Sequence, residues 1–114
     1  MVYSVNLTRC YKGEEAEFFH LAVCSTKEKA VEVRRNIVRG YTEDDMFDVC
    51  AFDDNGSLLT EIEDPKFEIH IAGGIGSDVD NFNMWSILNT DTDDWIEVVI
   101  KAMEMDKVDC CDCD

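Results

Sequence analysis

The stretch DTDDWIEVVIKAMEMD, Asp91 to Asp106, ends the patterned part of the chain. Its apolar residues Trp95, Val98, Val99, Ala102 and Met103 fall at i, i+3, i+4, i+7 and i+8, the spacing of one helical face. Asp91, Asp93 and Asp94 crowd its start, where the helix macrodipole favours negative charge. The spacing therefore predicts a C-terminal helix, and the segments before it decide what that helix packs on.

Working back, KFEIHIAG alternates Phe67, Ile69 and Ile71 with Glu68 and His70, the period of a strand with one buried face. Asp64-Pro65 separates it from SLLTEIE, which the turn Asp53-Asp54-Asn55-Gly56 joins to MFDVCAF, and Asn-Gly is a strong hairpin signal. At the N-terminus, VYSVNLTRC and EFFHLAVC alternate in the same way around the hairpin connection YKGEEA. STKEKAVEVRRNIVRGY then reads as a helix. Ser25 and Glu28 form a capping box, Ala30, Val33, Ile37 and Tyr41 make the apolar stripe, and Gly40 stands where a left-handed residue ends a helix. Residues 73–89 read as a loop with a short helix around NFNMWSIL. The order β-β-α-β-β-β-(α)-α predicts an α+β fold: an antiparallel sheet of about five strands, one long helix after the first hairpin, and the C-terminal helix packed on it.

At 114 residues the chain is expected to form one domain, 1–107, with an acidic cysteine-containing tail, 108–114. A domain of this size buries roughly two-thirds of its unfolded surface and needs neither metal nor disulfides. With 46% hydrophobic and 10% aromatic residues it has the apolar area to fold alone. The N-terminus reads as a strand with no signal-peptide pattern, and nowhere do eighteen apolar residues run together, so a cytoplasmic location without a membrane span is expected. In that compartment the six cysteines read as thiols.

Charge is the strongest functional signal. The net charge is −16, and it is regional: residues 1–41 carry seven basic and five acidic groups (+2), residues 42–114 three basic and 21 acidic groups (−18). Such a surface repels nucleic acid and anionic lipid and attracts basic proteins. TEDDMFDVCAFDDNG, Thr42 to Gly56, holds six carboxylates and no Lys or Arg. With MFDVCAF read as a strand, Glu43, Asp44 and Asp45 precede it, Asp48 lies within it and Asp53 and Asp54 follow it. A seven-residue strand keeps its ends roughly 20 Å apart, too far to chelate one ion. The acids, with Asp91, Asp93 and Asp94, read instead as a row along an edge, able to imitate the spacing and sign of nucleic-acid phosphates. The plainer reading is an acidic surface that keeps a small protein soluble.

Other chemistry finds little support. Cys110, Cys111 and Cys113 in VDCCDCD lie too close together for the paired spacing of structural zinc. His20 and His70 occur singly on the polar side of strand patterns. AGGIGSD, residues 72–78, fits neither the dinucleotide fingerprint nor the P-loop. DVDNFN lacks the central Gly and distal Glu of an EF-hand, and DTDD is explained by capping. No carboxylate pair and no Ser-His-Asp or Cys-His constellation stands out, so neither an enzyme nor a cofactor is expected.

A small, strongly acidic α+β chain with this strand hairpin, the STKEKA helix start and the DDMFDV segment resembles the early proteins of phages and prophages, above all anti-CRISPR inhibitors of the nucleic-acid-mimic kind. The resemblance lies in size, charge and element order. It implies an inhibitor that occupies the basic nucleic-acid channel of a host defence nuclease complex in the bacterial cytoplasm. The helix with Lys27, Lys29, Arg34, Arg35 and Arg39 departs from a uniformly acidic mimic. Two alternatives stand beside it: an immunity protein or antitoxin against a basic toxin nuclease, and a small metal-binding protein using the terminal cysteines.

Overall fold

The computed structural model describes residues 1–44, 47, 49–73 and 79–103. Five strands form one antiparallel sheet: β1 (Val2–Cys10), β2 (Glu17–Cys24), β3 (Phe67–Ala72), β4 (Met84–Asn89) and β5 (Trp95–Met103), in the order β2-β1-β5-β4-β3. A helix, α1 (Lys27–Arg39), follows the first hairpin and runs on into a single π-helical turn, Gly40–Asp44. A 3-10 turn, Val79–Asn81, precedes β4. The α+β class and the five-strand sheet are as expected, but two of the five strands are different ones.

The C-terminal helix is not there. Residues 95–103 form β5, the middle strand, hydrogen-bonded to β1 on one side and β4 on the other. Ile96, Val98 and Ile100 point into the core, and Trp95, Glu97 and Val99 to the opposite face. The residues assigned to one helical stripe thus divide between two faces. Their β-branched run suits the pleat, where stiff side chains pack well, better than the interior of a helix.

MFDVCAF and SLLTEIE are not sheet strands either. Among their described residues a single bridge, Phe52 to Leu58, flanks the Asp53–Gly56 turn, and Phe47, Ala51, Phe52 and Leu58 are buried as loop side chains. The turn itself forms as its sequence indicates: Gly56 takes a positive φ of 82° and its N–H donates to the Asp53 carbonyl. The segment read as a short helix around NFNMWSIL supplies β4.

One side of the sheet carries the core. Val5 and Leu7 of β1, Ile96, Val98 and Ile100 of β5, and Trp85 and Ile87 of β4 meet Ala30, Val31 and Val38 of α1. Over β4 and β3 the loop takes the helix's place, with Phe52 tilted on Trp85 at 6.4 Å between ring centres and Phe47 edge-on to Phe67 at 6.0 Å. The helix begins one residue later than expected, with Thr26 accepting from the Lys29 N–H at 3.1 Å. Gly40 is right-handed, φ −60°, and does not end the helix as a left-handed cap.

Candidate functional site

Strand register decides where the acids lie. Trp95 pairs with both Cys10 and Leu88, and Phe67 pairs with Asn89. The β1–β2 turn, the β4–β5 turn and the start of β3 therefore sit at one end of the sheet. The end of α1 reaches the same region, since Arg9 near the end of β1 donates to the Tyr41 hydroxyl at 2.9 Å.

At this end the β4–β5 connection is a tight acidic turn. Asn89 exchanges backbone bonds with Asp94 and Asp93 (2.9 and 2.7 Å), and its side-chain oxygen accepts from the N–H groups of Asp91 and Thr92. Asp93 adopts φ +63°, a left-handed conformation that Asp and Asn tolerate better than most residues. Asp91 and Asp93 are exposed; Asp94 is half-buried and accepts from the Lys12 N–H at 2.8 Å, which ties the two hairpins together. These acids are turn residues, not helix-start residues, and Glu14 and Glu15 of the first hairpin are brought to the same end, which the linear sequence did not indicate.

The second group surrounds Arg39. Its guanidinium lies 3.8 Å from Glu43, stacks over the Phe52 ring at 5.0 Å, and has the Asp53–Gly56 turn alongside. Asp53 is committed to that turn, its carboxylate accepting from the N–H groups of Asn55 and Ser57 at 2.9 and 3.0 Å, while Asp54 is exposed. Glu43 and the Asp53–Asp54 turn are thus neighbours, not groups held apart by a strand. Asp44 is described by its backbone alone, and Asp45 and Asp48 lie outside the described residues. So do the glycine-rich 74–78 and the whole tail from 104, with Cys110, Cys111 and Cys113.

The basic side chains are disposed differently from the acidic ones. Arg9 pairs with Glu17 at 2.8 Å, Lys29 with Glu32 at 3.1 Å, Arg35 with Asp80 at 3.3 Å, and Lys66 with Asp64 at 3.9 Å, in addition to Arg39 with Glu43. The Glu17 carboxylate, helped by the Tyr41 hydroxyl, raises the Arg9 pKa further above its ordinary value. Arg34 is wholly buried, its guanidinium 3.9 Å from the Trp85 ring centre and donating to the carbonyls of Phe82 (2.6 Å), Asn83 (3.1 Å) and Asp80 (3.3 Å). Among the described residues, only Lys12, Lys27 and Lys101 remain without an ion pair or burial. The basic helix therefore does not present a basic face: Arg34 is internal and three of its other four cations are paired.

Nothing comparable to a catalytic or metal centre is assembled among the described residues. No three His, Cys, Asp or Glu side chains converge as metal ligands there. His20 and His70 are exposed, with Asn6 at 2.9 Å and Glu68 at 3.2 Å as their neighbours. Cys10, Cys24 and Cys50 are free thiols. No described helix is long and apolar enough to cross a membrane. No protein-family model, curated protein or solved structure matches the chain.

Proposed function

We propose that the chain is an inhibitor of a nucleic-acid-binding protein, a host defence nuclease of the kind that anti-CRISPR proteins block, and that it acts by presenting carboxylates to the basic surface that holds nucleic acid. The observation that carries this reading is the asymmetry of charge use. Six of the nine described Lys and Arg side chains are taken up within the chain, five in ion pairs and Arg34 by burial, while Asp54, Asp91 and Asp93 stand exposed on turns. Carboxylates on short, hydrogen-bonded turns are held in place at little further entropic cost on binding. On this reading the protein performs no chemistry, needs no cofactor and excludes its competitor by occupancy, in the cytoplasm of the bacterial host. An immunity protein against a basic toxin nuclease would use the same surface, and the identity of the captured partner separates the two.

The test is to capture the partner from bacterial lysate at low salt, then measure association kinetics against ionic strength. The triple variant Asp54→Lys, Asp91→Lys, Asp93→Asn keeps a residue that tolerates the left-handed position. It is expected to associate at least tenfold more slowly and with a flatter salt dependence. Glu28→Lys, Glu32→Lys, Glu68→Gln makes the same change in charge elsewhere. Equal effects from both sets would reduce the interaction to net charge and remove the proposed site.

A further inference from the structure

The outer edge of β2 has no strand beside it among the described residues. Apart from Met1, the large apolar residues most exposed in the described chain all lie on it: Phe18 at 77%, Val23 at 47% and Leu21 at 40%. We propose that this edge is the seam of a two-fold dimer, in which β2 pairs antiparallel with β2 of a second copy.

Charge argues for a second copy at this edge and against one elsewhere. β2 belongs to residues 1–41, whose balance is +2, whereas the remainder carries −18 and would repel itself. The ends of the strand are also oppositely charged. Glu14 and Glu15 outnumber Lys12 in the turn before it, and at the helix start after it Lys27 has no ion pair while Lys29, next to Glu28, is paired with Glu32. Antiparallel pairing lays the acidic end of one copy along the basic end of the other.

The bulge in β2 fixes the register in which two copies can pair. Val5 pairs with Ala22 but Asn6 pairs with His20, so Leu21 is an extra residue and the alternation of faces shifts across it. Glu17, Phe19, Ala22 and Cys24 then face the helix side, while Phe18, His20 and Val23 face the other. Two such strands centred between His20 and Leu21 place Phe18 opposite Val23, Phe19 opposite Ala22 and Glu17 opposite Cys24. Those three pairs match in face, and the mismatch is confined to the central pair, His20 opposite Leu21, where the two bulges meet. The seam uses none of the carboxylates of the Asp53–Asp54 or Asp91–Asp94 turns, so its failure leaves the inhibitor reading standing.

Sedimentation velocity over a concentration series tests it. The mass should rise from the 13.0 kDa of one chain to twice that value. Phe18→Lys and Val23→Lys, both at exposed positions, should hold the protein monomeric with an unchanged circular dichroism spectrum. Glu14→Lys and Lys27→Glu should each weaken the dimer, and together restore it. A wild-type chain that stays monomeric up to about 1 mM, where even a millimolar dimer would show, overturns the proposal. A dimer that survives Phe18→Lys does the same. Should Phe18→Lys fail to fold, the charge exchange decides alone, and two charge effects that simply add contradict the seam.

Discussion

A guanidinium without exposed surface has to be solvated by the protein itself, and for Arg34 the solvent is three backbone carbonyls and the face of Trp85. Burial lowers its pKa to about 10, with the charge of Asp80 pulling the other way, so at neutral pH the cation persists and its desolvation must be offset by these contacts. Because this pKa is depressed, the unfolded chain binds the proton more tightly, and the cost to stability is full below about pH 10 and fades only as the pH rises above it. The same carbonyls belong to the segment 80–83 that leads into β4, and the Trp85 indole donates to the Val79 carbonyl at 2.9 Å, so ring and guanidinium together anchor the entry to that strand. Lysine keeps the charge but has no planar fork to stack and donate at once. Arg34→Lys is therefore expected to cost about 2–3 kcal/mol, read from urea unfolding as a lower midpoint with the slope unchanged. A loss below 0.5 kcal/mol would mean that water, not these carbonyls, solvates the group.

Among the elements, β5 carries the largest departure from the sequence reading. Ile96 lies outside the helical stripe of Trp95, Val99 and Met103, yet it is 1% exposed in the core, whereas Val99 is half-buried on the opposite face. Ile96→Ala should thus cost about 2–5 kcal/mol and Val99→Ala clearly less, and the β5 amides, bonded on both sides, should be among the slowest to exchange. The reverse ranking would restore the helix. The outer parts of the fold were legible because each shows one strong period. β1 and β3 alternate cleanly and α1 has capping residues and an apolar stripe, while β2 is a strand as read but its bulge at Leu21 breaks the alternation and leaves Leu21 and Val23 exposed. A central strand has apolar residues on both faces, which blurs the period of two and lets i, i+3, i+4 spacing arise by coincidence. The β-branched run Ile96, Val98, Val99, Ile100 was the signal that could have corrected it. In the 47–58 segment apolar alternation was real but served a loop plugging the core beside Trp85. The acidic candidates were legible as a count, not as a place. Asp91, Asp93 and Asp94 became a hairpin turn, and Glu43 came beside Asp53 and Asp54, because tertiary pairing set where the chain reverses.

For the molecule as a whole, a net charge of −16 is a standing repulsion between groups that folding brings together. Added salt screens it, with a Debye length falling from about 30 Å at 0.01 M to about 3 Å at 1 M. The melting temperature should accordingly rise by a few degrees over that range, and a fall would show that the internal ion pairs outweigh the repulsion. The same field would bring a basic partner in quickly and hold off nucleic acid, which shares its sign. The proposal that this surface displaces nucleic acid is tested most directly by competition on the captured partner. Labelled DNA or RNA bound to it is titrated with this protein and followed by gel shift. The account predicts that nucleic acid is released in proportion to inhibitor bound, and that the triple turn variant releases at least tenfold less at the same concentration. A ternary complex, with partner, nucleic acid and this protein migrating together, would contradict it.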